Sequence, residues 1–327
     1  MIICRAPFRI SFFGGGTDYP EWYENHKGCA LSTTINKYSY ITCRQLPPFF
    51  DYNFCLRYFK REEKKTVDEI EHPIIRESLK FLKASQSLDL AHHGDLPARS
   101  GLGSSSAFTV CMLHSLYCLM NKMPTKRELA LNAIHVERDM VGDLVGSQDQ
   151  VAASFGGLNF IQFGGQAEIF VEPIPISQER CKELEDSLLL VFTGFARTAS
   201  ETVKEQVKNI PLKSDSLFEM VNLAEEAKSV LCSKSDITEF GKLLHTQWCL
   251  KKTLSSKISN RFIDDMYQAG IENGAVGGKL LGAGNGGFML FFVNPENRQR
   301  VVSSLKGLMS VPFRFEWLGS QMIFRAE

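Results

Sequence analysis

The sequence predicts an α+β protein with two domains, and three observations support this fold class. Its 327 residues are too many for one ordinary hydrophobic core. Strand patterns dominate residues 2–60, helical patterns dominate residues 72–140, and the two kinds mix thereafter. A doubly wound parallel sheet would instead alternate strands and helices along its whole length. We expect the domain boundary near residues 176–186, which gives an N-terminal domain over 1–180 and a C-terminal domain over 181–327.

Strand patterns in the N-terminal domain consist of alternating apolar side chains or of runs rich in β-branched and aromatic residues. They occupy residues 2–13, 29–45, 53–60, 88–93, 157–163 and 167–174. Pro7 is expected to break the first of these strands, because proline cannot donate to a sheet. The second segment is long enough for one or two strands, and the last two segments are predicted to form a hairpin.

Helical spacing of apolar residues is found in three segments of the same domain. They are residues 73–84, 104–121 and 125–140. Pro73 suits the first turn of its helix, where the missing N–H is not needed. Thr125 and Glu128 match the capping box, in which each side chain accepts a hydrogen bond from the backbone N–H of the other residue. Two of the three helices therefore have a defined start in the sequence.

The C-terminal domain is predicted to contain both strands and helices, after a polar stretch that follows Pro173 and Pro175. Its elements in order are a strand over 187–193, two or three helices over roughly 200–273, a glycine loop, a strand over 286–293, a helix over 295–308 and C-terminal strands. We therefore expect the second domain to be an α+β domain as well.

The overall composition excludes several classes of protein. Lysine plus arginine and aspartate plus glutamate number 37 each, so the formal net charge is zero, whereas a protein that binds duplex nucleic acid normally carries a basic surplus. No apolar run approaches the roughly 20 residues that span a bilayer, and the N-terminus lacks the order of a signal peptide. Nine scattered cysteines without a Cys-x-x-Cys pair do not match zinc or disulfide frameworks. We therefore expect a cytoplasmic protein with neither nucleic acid nor a membrane as partner.

Glycine is concentrated in three clusters. Residues 14–16 form a triplet, Gly101 and Gly103 flank Leu102, and six of the 11 residues in 277–287 are glycine. Such clusters either form tight turns or let backbone N–H groups approach a ligand. Because one cluster leads into serines and a predicted helix, we expect anion binding there.

The last cluster contains GAGNGG at residues 282–287, which matches the dinucleotide fingerprint G-x-G-x-x-G. That fingerprint requires a strand before it and a helix after it. The next residues, 288–293, read FMLFFV and predict a strand. No acidic residue stands at the end of a second parallel strand about 20 residues later, and no G-x-x-x-x-G-K-[ST] motif occurs. Neither a Rossmann nucleotide site nor a Walker P-loop is therefore expected.

The better candidate for an anion site is the loop before helix 104–121. Its sequence from residue 97 to residue 107 is PARSGLGSSSA. The first turn of a helix has free N–H groups and the positive end of the helix dipole, and serine hydroxyls can cap it, bind phosphate or ligate Mg²⁺. A capped helix needs only one serine, so three serines favour phosphate. The residues assigned to phosphate binding are Arg99, Ser100, Gly101, Leu102, Gly103, Ser104, Ser105 and Ser106.

Three segments, in this order along the chain, resemble the three motifs of the GHMP kinases. Residues 6–19 (APFRISFFGGGTDY) resemble the N-terminal motif, 97–107 the P-x-x-x-G-L-G-S-S phosphate signature, and 279–287 (KLLGAGNGG) the C-terminal glycine motif. The resemblance covers almost the whole chain. It implies a ribosomal protein S5 domain 2-like N-terminal domain, a ferredoxin-like C-terminal domain, and a phosphotransferase that uses ATP and Mg²⁺ and acts on an alcohol group.

The resemblance also implies the residues of the catalytic centre. Asp149, in the segment GSQDQ, matches the residue that takes the proton from the sugar hydroxyl, and Arg9 is placed like the cation that pairs with it. Ser105 and Glu137 match the ligands of Mg²⁺. For Glu137 the alternative is a solvated helix residue, and for Arg9 it is a surface ion pair. Asp143 is a further candidate for the base.

Recognition of the sugar is implied by the glycine triplet and the residues that follow it. Gly16, Thr17 and Asp18 resemble the segment that meets sugar hydroxyls, and for Asp18 an Asx-turn is the alternative. Galactokinase-like members have Gly-Glu-His where this chain has glycine at 14–16. Two side chains that could touch the substrate are therefore absent, which leaves room for a larger acceptor than galactose.

The glycine triplet at residues 14–16, together with PEW at residues 20–22 and HPIIRE at residues 72–77, most resembles the branch of the family that phosphorylates heptose 7-phosphate at C1. That reaction lies on the route to nucleotide-activated heptose for surface polysaccharide. Arg99, Arg138 and Arg197 are candidates for binding the substrate's own phosphate. The alternatives are a kinase for a fucose-, galactose- or uronic-acid-type sugar or for a phosphomevalonate-like substrate, and a ligand-sensing module without catalysis. The expected partners are ATP and a sugar phosphate, and a homo-oligomer is left open.

Overall fold

The protein consists of two β-sheets and the helices packed on them, in a computed structural model that describes residues 1–84, 86–164, 169–195 and 200–326. The strands are β1 (Ile2–Phe13), β2 (Gly28–Gln45), β3 (Phe54–Arg57), β4 (Arg61–Lys64), β5 (Leu88–Gly94), β6 (Leu158–Phe163), β7 (Ile169–Pro173), β8 (Leu188–Phe192), β9 (Ala275–Leu280), β10 (Phe288–Val293), β11 (Met309–Ser310), β12 (Phe315–Glu316) and β13 (Gln321–Arg325). The helices are α1 (Pro20–Tyr23), α2 (Pro73–Phe81), α3 (Ser104–Leu119), α4 (Lys126–His135), α5 (Gln148–Phe155), α6 (Gln178–Ser187), α7 (Ser200–Asn209), α8 (Ser214–Cys232), α9 (Thr238–Thr253), α10 (Arg261–Glu272) and α11 (Arg298–Ser304). A π-helical turn covers Val136–Met140, and 3₁₀ turns cover Ile210–Leu212 and Pro295–Asn297.

The first sheet is built around the long strands β1 and β2. On one side of β1 lies β2 and on the other lies β13, both antiparallel to it. The other edge of β2 pairs with β5, β6 and β12 along successive parts of its length. β3 lies parallel to β5 and pairs with β4, while β6 pairs with β7. The predicted hairpin over 157–174 is therefore confirmed for the residues that the structure describes.

β1 runs through Pro7 without interruption, where the sequence predicted a break. Its pairing with β2 shifts register between Pro7 and Phe8 instead. Because proline has no N–H to donate, the ladder cannot continue regularly at this residue, and the strand accommodates it as a local irregularity. Arg9 follows two residues later on the same strand.

The second sheet is antiparallel and has the order β11-β8-β10-β9. The sequence predicted a glycine loop around 277–278, but these glycines lie inside β9. A Cβ on Gly277 would lie 2.0 Å from the carbonyl oxygen of Gly241 on α9, and a Cβ on Gly278 would lie 2.5 Å from the carbonyl oxygen of Leu290 on β10. These two glycines therefore let a helix and a strand approach closely, rather than forming a turn.

Helix α6 occupies residues that the sequence predicted as a polar stretch at the domain boundary. Ser177 caps it, because its hydroxyl accepts a hydrogen bond of 3.1 Å from the backbone N–H of Arg180. Cys181 and Leu184 are buried, and residues three apart share one face of a helix. The four helices from α7 to α10 in the described chain exceed the two or three that were predicted.

Helix α4 begins at the predicted capping box. The backbone N–H of Glu128 donates to the hydroxyl of Thr125 over 3.1 Å, and the backbone N–H of Thr125 donates to the Glu128 carboxylate over 3.4 Å. These two bonds satisfy donors that a helix terminus otherwise leaves open.

The first and last described strands lie side by side. β13 pairs with β1, and the backbone N–H of Ala326 donates to the carbonyl oxygen of Met1 over 2.8 Å. β12 likewise pairs with β2. Residues beyond 315 thus return to the first sheet, although they follow the elements of the second sheet. The division of the chain at residue 180 stays a prediction.

A continuous hydrophobic core joins the two sheets. α3 is buried along most of its length and packs against β1 and β2. Phe12 of β1 and Phe240 of α9 have ring centroids 5.3 Å apart, and Phe240 lies 6.4 Å from Phe292 of β10. This core fixes β1 and α3 relative to α9 and β9. Within the ranges described above, no helix combines the length and the apolar character needed to cross a membrane.

Candidate active site

A cleft of about 500 Å³ lies between elements of the two sheets. Its walls are the glycine turn at 15–16, the loop at 99–106, the loop at 142–149, helices α7 and α9, strand β9 and the loop at 281–286. All three glycine clusters of the sequence therefore border one space.

The loop before α3 is shaped by two glycines with left-handed backbone conformation. Gly101 has a φ of 84° and Gly103 a φ of 71°, values that residues with a Cβ rarely adopt. Gly103 is the N-cap of α3, and residues 104–106 in its first turn line the cleft. The positive end of the helix dipole and its free N–H groups are therefore at the cleft, where an anion would be favoured.

The loop at 281–287 packs directly on this phosphate loop. A Cβ on Gly101 would lie 2.4 Å from the carbonyl oxygen of Leu281, and a Cβ on Gly282 would lie 2.4 Å from the Cα of Gly101. The two backbones therefore touch in a space that admits no side chain. β9 and β10 flank the loop as an antiparallel pair. GAGNGG is thus followed by a strand, as predicted, and not by a helix, whereas the strand that precedes it was not predicted.

The three serines of the first helical turn have different surroundings. Ser104 accepts a hydrogen bond of 3.1 Å from the backbone N–H of Arg99. Ser105 is exposed and faces the cleft. Ser106 is buried and donates to the carboxylate of Glu137 over 2.8 Å. The structure thus brings Ser106 into contact with Glu137, whereas the resemblance pairs Glu137 with Ser105.

Two residues assigned to phosphate binding lie behind the loop. Ser100 is buried, and its hydroxyl has no hydrogen-bond partner among the described residues. Leu102 is buried in the core, and its carbonyl oxygen accepts a hydrogen bond of 3.0 Å from the backbone N–H of Arg9. Neither residue is among those that line the cleft.

The predicted contact between Arg9 and Asp149 is present. Nε and Nη2 of Arg9 donate to Oδ1 and Oδ2 of Asp149 over 2.7 and 2.8 Å, and Nη1 donates to the carbonyl oxygen of Gly101 over 2.7 Å. The side chain of Arg9 is 5% exposed and that of Asp149 is 23% exposed. This bidentate pair fixes the plane of the carboxylate and leaves part of Asp149 open to the cleft. Arg9 is therefore not in the surface ion pair of the alternative interpretation.

Asp18 is buried where the glycine turn meets the start of α5. Its Oδ1 accepts a hydrogen bond of 2.9 Å from the N–H of Gly16, and its Oδ2 accepts one of 3.0 Å from Nε2 of Gln148. The first bond runs back two residues, whereas an Asx-turn would run forward. Burial raises the pKa of the Asp18 carboxyl, although the Gly16 hydrogen bond opposes this. Asp18 borders the cleft beside Gly16.

Thr17 lies behind the same turn. Its hydroxyl donates to the carbonyl oxygen of Gly14 over 2.8 Å and accepts a hydrogen bond of 3.0 Å from the N–H of Cys29. A Cβ on Gly14, whose φ is 79°, would lie 2.0 Å from the carbonyl oxygen of Cys29. The position of Thr17 therefore suits the shape of the turn more directly than contact with a substrate.

The arginines considered for a substrate phosphate lie in different places. Arg99 lines the cleft. Nη1 of Arg138 donates to the hydroxyls of Tyr23 and Ser147 over 2.9 and 3.2 Å, which braces the loop that leads into α5. Arg197 lies outside the described residues.

Glu137 is buried next to the first turn of α3, so it is not a solvated helix residue. Its carboxylate accepts hydrogen bonds from Ser106 over 2.8 Å, from Thr109 over 2.9 Å and from Nε2 of Gln150. Burial raises the pKa of Glu137 from its ordinary 4.5 to about 7, although these hydrogen bonds oppose the shift. In the described ranges, no three His, Cys, Asp or Glu side chains gather in metal-binding geometry. A cation here would depend on one carboxylate and on hydroxyl oxygens.

The raised pKa of Glu137 predicts a pH-dependent stability. Between pH 4.5 and about 7 the unfolded chain releases the proton of Glu137 while the folded chain keeps it. The free energy of unfolding therefore falls as pH rises through this range, by on the order of 3 kcal/mol. Glu137→Gln should remove this loss, which urea unfolding at pH 5 and pH 8 in EDTA would measure. An equal loss in wild type and variant would contradict the assignment.

Several buried polar residues that line the cleft were not assigned to the site from the sequence. Lys251 on α9, Lys279 on β9, Ser11 on β1 and Gln148 on α5 are all buried there. Lys279 belongs to the C-terminal glycine motif, and Gln148 stands next to Asp149. Their closeness to a motif is the only local feature of the sequence that indicates a place in the site. Ser11 likewise lies inside the N-terminal motif at residues 6–19, whereas nothing local distinguishes Lys251 from an ordinary surface residue.

The arrangement combines the groups that phosphoryl transfer needs. An anion can bind at the N-terminus of α3, and the carboxylate of Asp149 lies beside that site, because a Cβ on Gly103 would lie 3.3 Å from Oδ2 of Asp149. A hydroxyl bound next to both groups could lose its proton to the carboxylate as it attacks phosphorus.

Comparison with known proteins agrees with this chemistry. The family model for the GHMP kinases N terminal domain matches residues 70–157, and the model for GHMP kinases C terminal matches residues 223–310. D-glycero-alpha-D-manno-heptose 7-phosphate kinase of Campylobacter jejuni subsp. jejuni serotype O:2 is 32% identical over 314 residues, which cover 92% of each chain. Galactokinase of Pyrococcus furiosus is 23% identical over 99% of this chain and 97% of its own. The crystal structure of a D-glycero-D-manno-heptose 1-phosphate kinase from Bacteroides thetaiotaomicron superposes with a TM-score of 0.75 at 24% identity, and all of both chains is covered.

Proposed function

The chain belongs to the GHMP kinases, and from that membership we propose that it transfers the γ-phosphoryl group of ATP to the C1 hydroxyl of a heptose 7-phosphate. It has the two-domain fold of the family and is a phosphotransferase that acts on an alcohol group. One observation carries the proposal. The Asp149 carboxylate, held on both oxygens by Arg9, faces the helix N-terminus at which the phosphates of ATP would bind.

In the proposed reaction each group of the cleft has one task. The N–H groups of the first turn of α3 and the hydroxyl of Ser104 bind the phosphates. The sugar oxygen attacks the γ-phosphorus, the bond from phosphorus to the bridging oxygen breaks, and ADP leaves. The proton of the attacking hydroxyl passes to a free lone pair of the Asp149 carboxylate. Arg9 holds that carboxylate in the orientation needed.

The residues around Glu137 fit the Mg²⁺ that the family resemblance implies. The carboxylate is buried, and no lysine or arginine in the described part of the chain forms an ion pair with it. A hard cation bound by carboxylate and hydroxyl oxygens would compensate this charge. We propose that Glu137 and Ser105 hold Mg²⁺, which when bound neutralises charge on the phosphates.

Ser105→Ala is expected to raise the Mg²⁺ concentration needed for half-maximal activity by about 10-fold, because one ligand of a charged centre is lost. Activity measured over a Mg²⁺ titration at saturating ATP would show this. Ser106→Ala is the matched comparison, since it removes a hydroxyl that already bonds Glu137. A larger shift in Ser106→Ala than in Ser105→Ala would assign the ligand to Ser106 instead.

The choice of a heptose phosphate as acceptor is supported by the relative from Campylobacter jejuni and by the glycine turn. That relative is named a heptose 7-phosphate kinase and matches 92% of this chain. The backbone at 14–16 presents no side chain toward the cleft, which suits a bulky acceptor. The related crystal structure is named a heptose 1-phosphate kinase, so the two names place the phosphate on different carbons. The position of transfer therefore has to be measured.

The proposal is tested by incubating the protein with ATP, Mg²⁺ and a panel of acceptors. The panel contains D-glycero-D-manno-heptose 7-phosphate, galactose, fucose and glucuronic acid. We expect ADP release with the heptose phosphate at a kcat/KM well above that for the other sugars, and a new anomeric phosphate in the ³¹P NMR spectrum. A preference for a neutral sugar, or a phosphate on another carbon, would contradict the proposed acceptor. Nucleotide binding without turnover on any acceptor would favour a ligand-sensing module.

We also propose that the enzyme works in the cytoplasm. All nine cysteines are unpaired, and seven of them are buried. Unpaired thiols in this number suit a reducing compartment.

A further inference from the structure

Two lysine side chains are buried in the same cleft as the phosphate loop. Lys251 is 6% exposed on α9, and Lys279 is 1% exposed on β9. Both line the cleft. Lysine is almost never buried to this degree unless an anion compensates its charge.

The amino groups of both lysines contact only backbone oxygens in the described part of the chain. Nζ of Lys279 donates to the carbonyl oxygen of Phe12 over 2.8 Å. Nζ of Lys251 donates to the carbonyl oxygen of Gly282 and lies 3.5 Å from that of Leu280. An ammonium group has three donors, so Lys251 keeps at least one donor and Lys279 keeps two donors for a ligand.

The charges around the two lysines are unbalanced. Burial lowers the pKa of Lys251 to about 8, with a further lowering by Arg9, while Asp18 and Asp149 raise it. Burial, Lys251 and Arg9 likewise lower the pKa of Lys279. The carboxylate of Asp149 is already engaged by Arg9, and Asp18 by neutral donors. Arg9 and the two buried amino groups thus share the centre of the cleft with fewer free anions, and a bound anion would favour the protonated form of both lysines.

The backbone oxygens that the two lysines contact show which parts of the cleft each lysine lies next to. Gly282, which accepts from Lys251, packs on Gly101 of the phosphate loop. Phe12, which accepts from Lys279, precedes the glycine turn that borders the acceptor side. The pair therefore lies where the nucleotide side and the acceptor side of the cleft meet.

We propose that Lys251 and Lys279 together bind one phosphoryl group at the centre of the cleft. A phosphoryl group carries up to two negative charges and several acceptor oxygens, which match two ammonium groups with free donors. The origin of that group rests on the proposed function. It is either the γ-phosphoryl group of ATP or the phosphate that the acceptor already carries.

The test uses Lys251→Met and Lys279→Met, which remove the charge and keep the approximate length of the side chain. Calorimetry compares two pairs of ligands that differ by one phosphoryl group: AMP-PNP with ADP, and D-glycero-D-manno-heptose 7-phosphate with the unphosphorylated heptose. In one of the two pairs, we expect each variant to bind the ligand with the additional phosphoryl group at least about 10-fold more weakly than wild type does. Its affinity for the ligand that lacks this group should change little. If the affinity for AMP-PNP falls, the lysines bind the γ-phosphoryl group of ATP. If the affinity for the heptose phosphate falls, they bind the phosphate of the acceptor.

Lys252→Met is the matched control on the same helix, because Lys252 is 36% exposed and pairs with Asp264. Removal of a buried charge without a partner should leave the Tm equal or higher, so a fall in affinity would not reflect unfolding. If a Met variant does not fold, the corresponding Lys→Gln variant is compared in the same way. Affinity ratios equal to those of Lys252→Met in both pairs would overturn the inference.

Failure of this inference is distinguishable from failure of the proposed function. If wild type phosphorylates a heptose phosphate and the lysine variants keep wild-type affinity ratios, only the lysine site is wrong. If wild type phosphorylates no sugar of the panel, the proposed function is wrong. The two affinity comparisons, AMP-PNP with ADP and the heptose phosphate with the unphosphorylated heptose, then still decide whether the lysines bind a phosphoryl group.

Discussion

Asp149→Asn is expected to lower kcat by about 100-fold or more, which is the usual contribution of a general base. Asparagine can accept a hydrogen bond from Arg9 but cannot take a proton from the sugar hydroxyl. The phosphate loop is built from other residues, so the affinity for ATP should change little. Steady-state release of ADP, with nucleotide affinity measured separately, would show this division between kcat and binding.

The controls for Asp149→Asn come from the same part of the chain. The variant loses a charge partner for a buried arginine, so a stability loss of about 1–3 kcal/mol is expected, and the assay should run below its Tm. Asp139→Asn changes a carboxylate that is 55% exposed and bonds His135, and it should keep wild-type kcat. Asp143→Asn tests the other candidate base. A larger loss in that variant than in Asp149→Asn would move the base to Asp143.

Gly103→Val is expected to weaken nucleotide binding by about 10-fold or more and to lower kcat as well, because displacement of a binding loop by up to about 1 Å is costly. The φ of Gly103 is 71°, and its Cβ would lie 3.2 Å from Cγ of Arg9 and 3.3 Å from Oδ2 of Asp149. A branched side chain would therefore strain the backbone and push against the catalytic pair. Titration of AMP-PNP and steady-state kinetics would measure the two effects.

The contribution of backbone strain to this effect can be measured separately at Gly307. Its φ is 83°, and nothing lies within 4 Å of its Cβ position. Gly307→Val should therefore lose stability of about 1–2 kcal/mol from the left-handed backbone alone, while nucleotide affinity stays at the wild-type value. If Gly103→Val binds AMP-PNP as tightly as Gly307→Val does, the phosphate loop is not at residues 99–106.

The parts of the fold that sequence predicted well depend on neighbouring residues. The capping box of Thr125 and Glu128 lies within four residues, and its hydrogen bonds form as expected. The glycines and serines before α3 likewise define a loop and a helix start by their own conformational preferences. The placement of Asp149 beside that loop came from resemblance to a family, since no local rule relates residues so far apart.

The parts that sequence could not predict depend on contacts between distant segments. The sequence around Gly277 predicts a turn, but the residue lies in a strand, where the carbonyl oxygen of Gly241 on α9 leaves no room for a side chain. Lys251 has the sequence surroundings of a surface lysine, and only the folded chain buries it. Ser105 and Ser106 differ by one position, about 100° around a helix. Which of them meets Glu137 therefore depends on the rotation of α3 in the core.

The pairing of β13 with β1 has a consequence for how the protein is made. Arg5 and Gln321, which are hydrogen-bonded in the finished sheet, are 316 residues apart in the chain. At about 5–20 residues per second the ribosome needs roughly 15–60 s to travel from one to the other. During translation, the outer edge of the strand that carries Arg9 therefore stays unpaired, as an open site for association with other nascent chains. A ribosome-bound chaperone would therefore have to cover this strand edge for almost the whole time of synthesis.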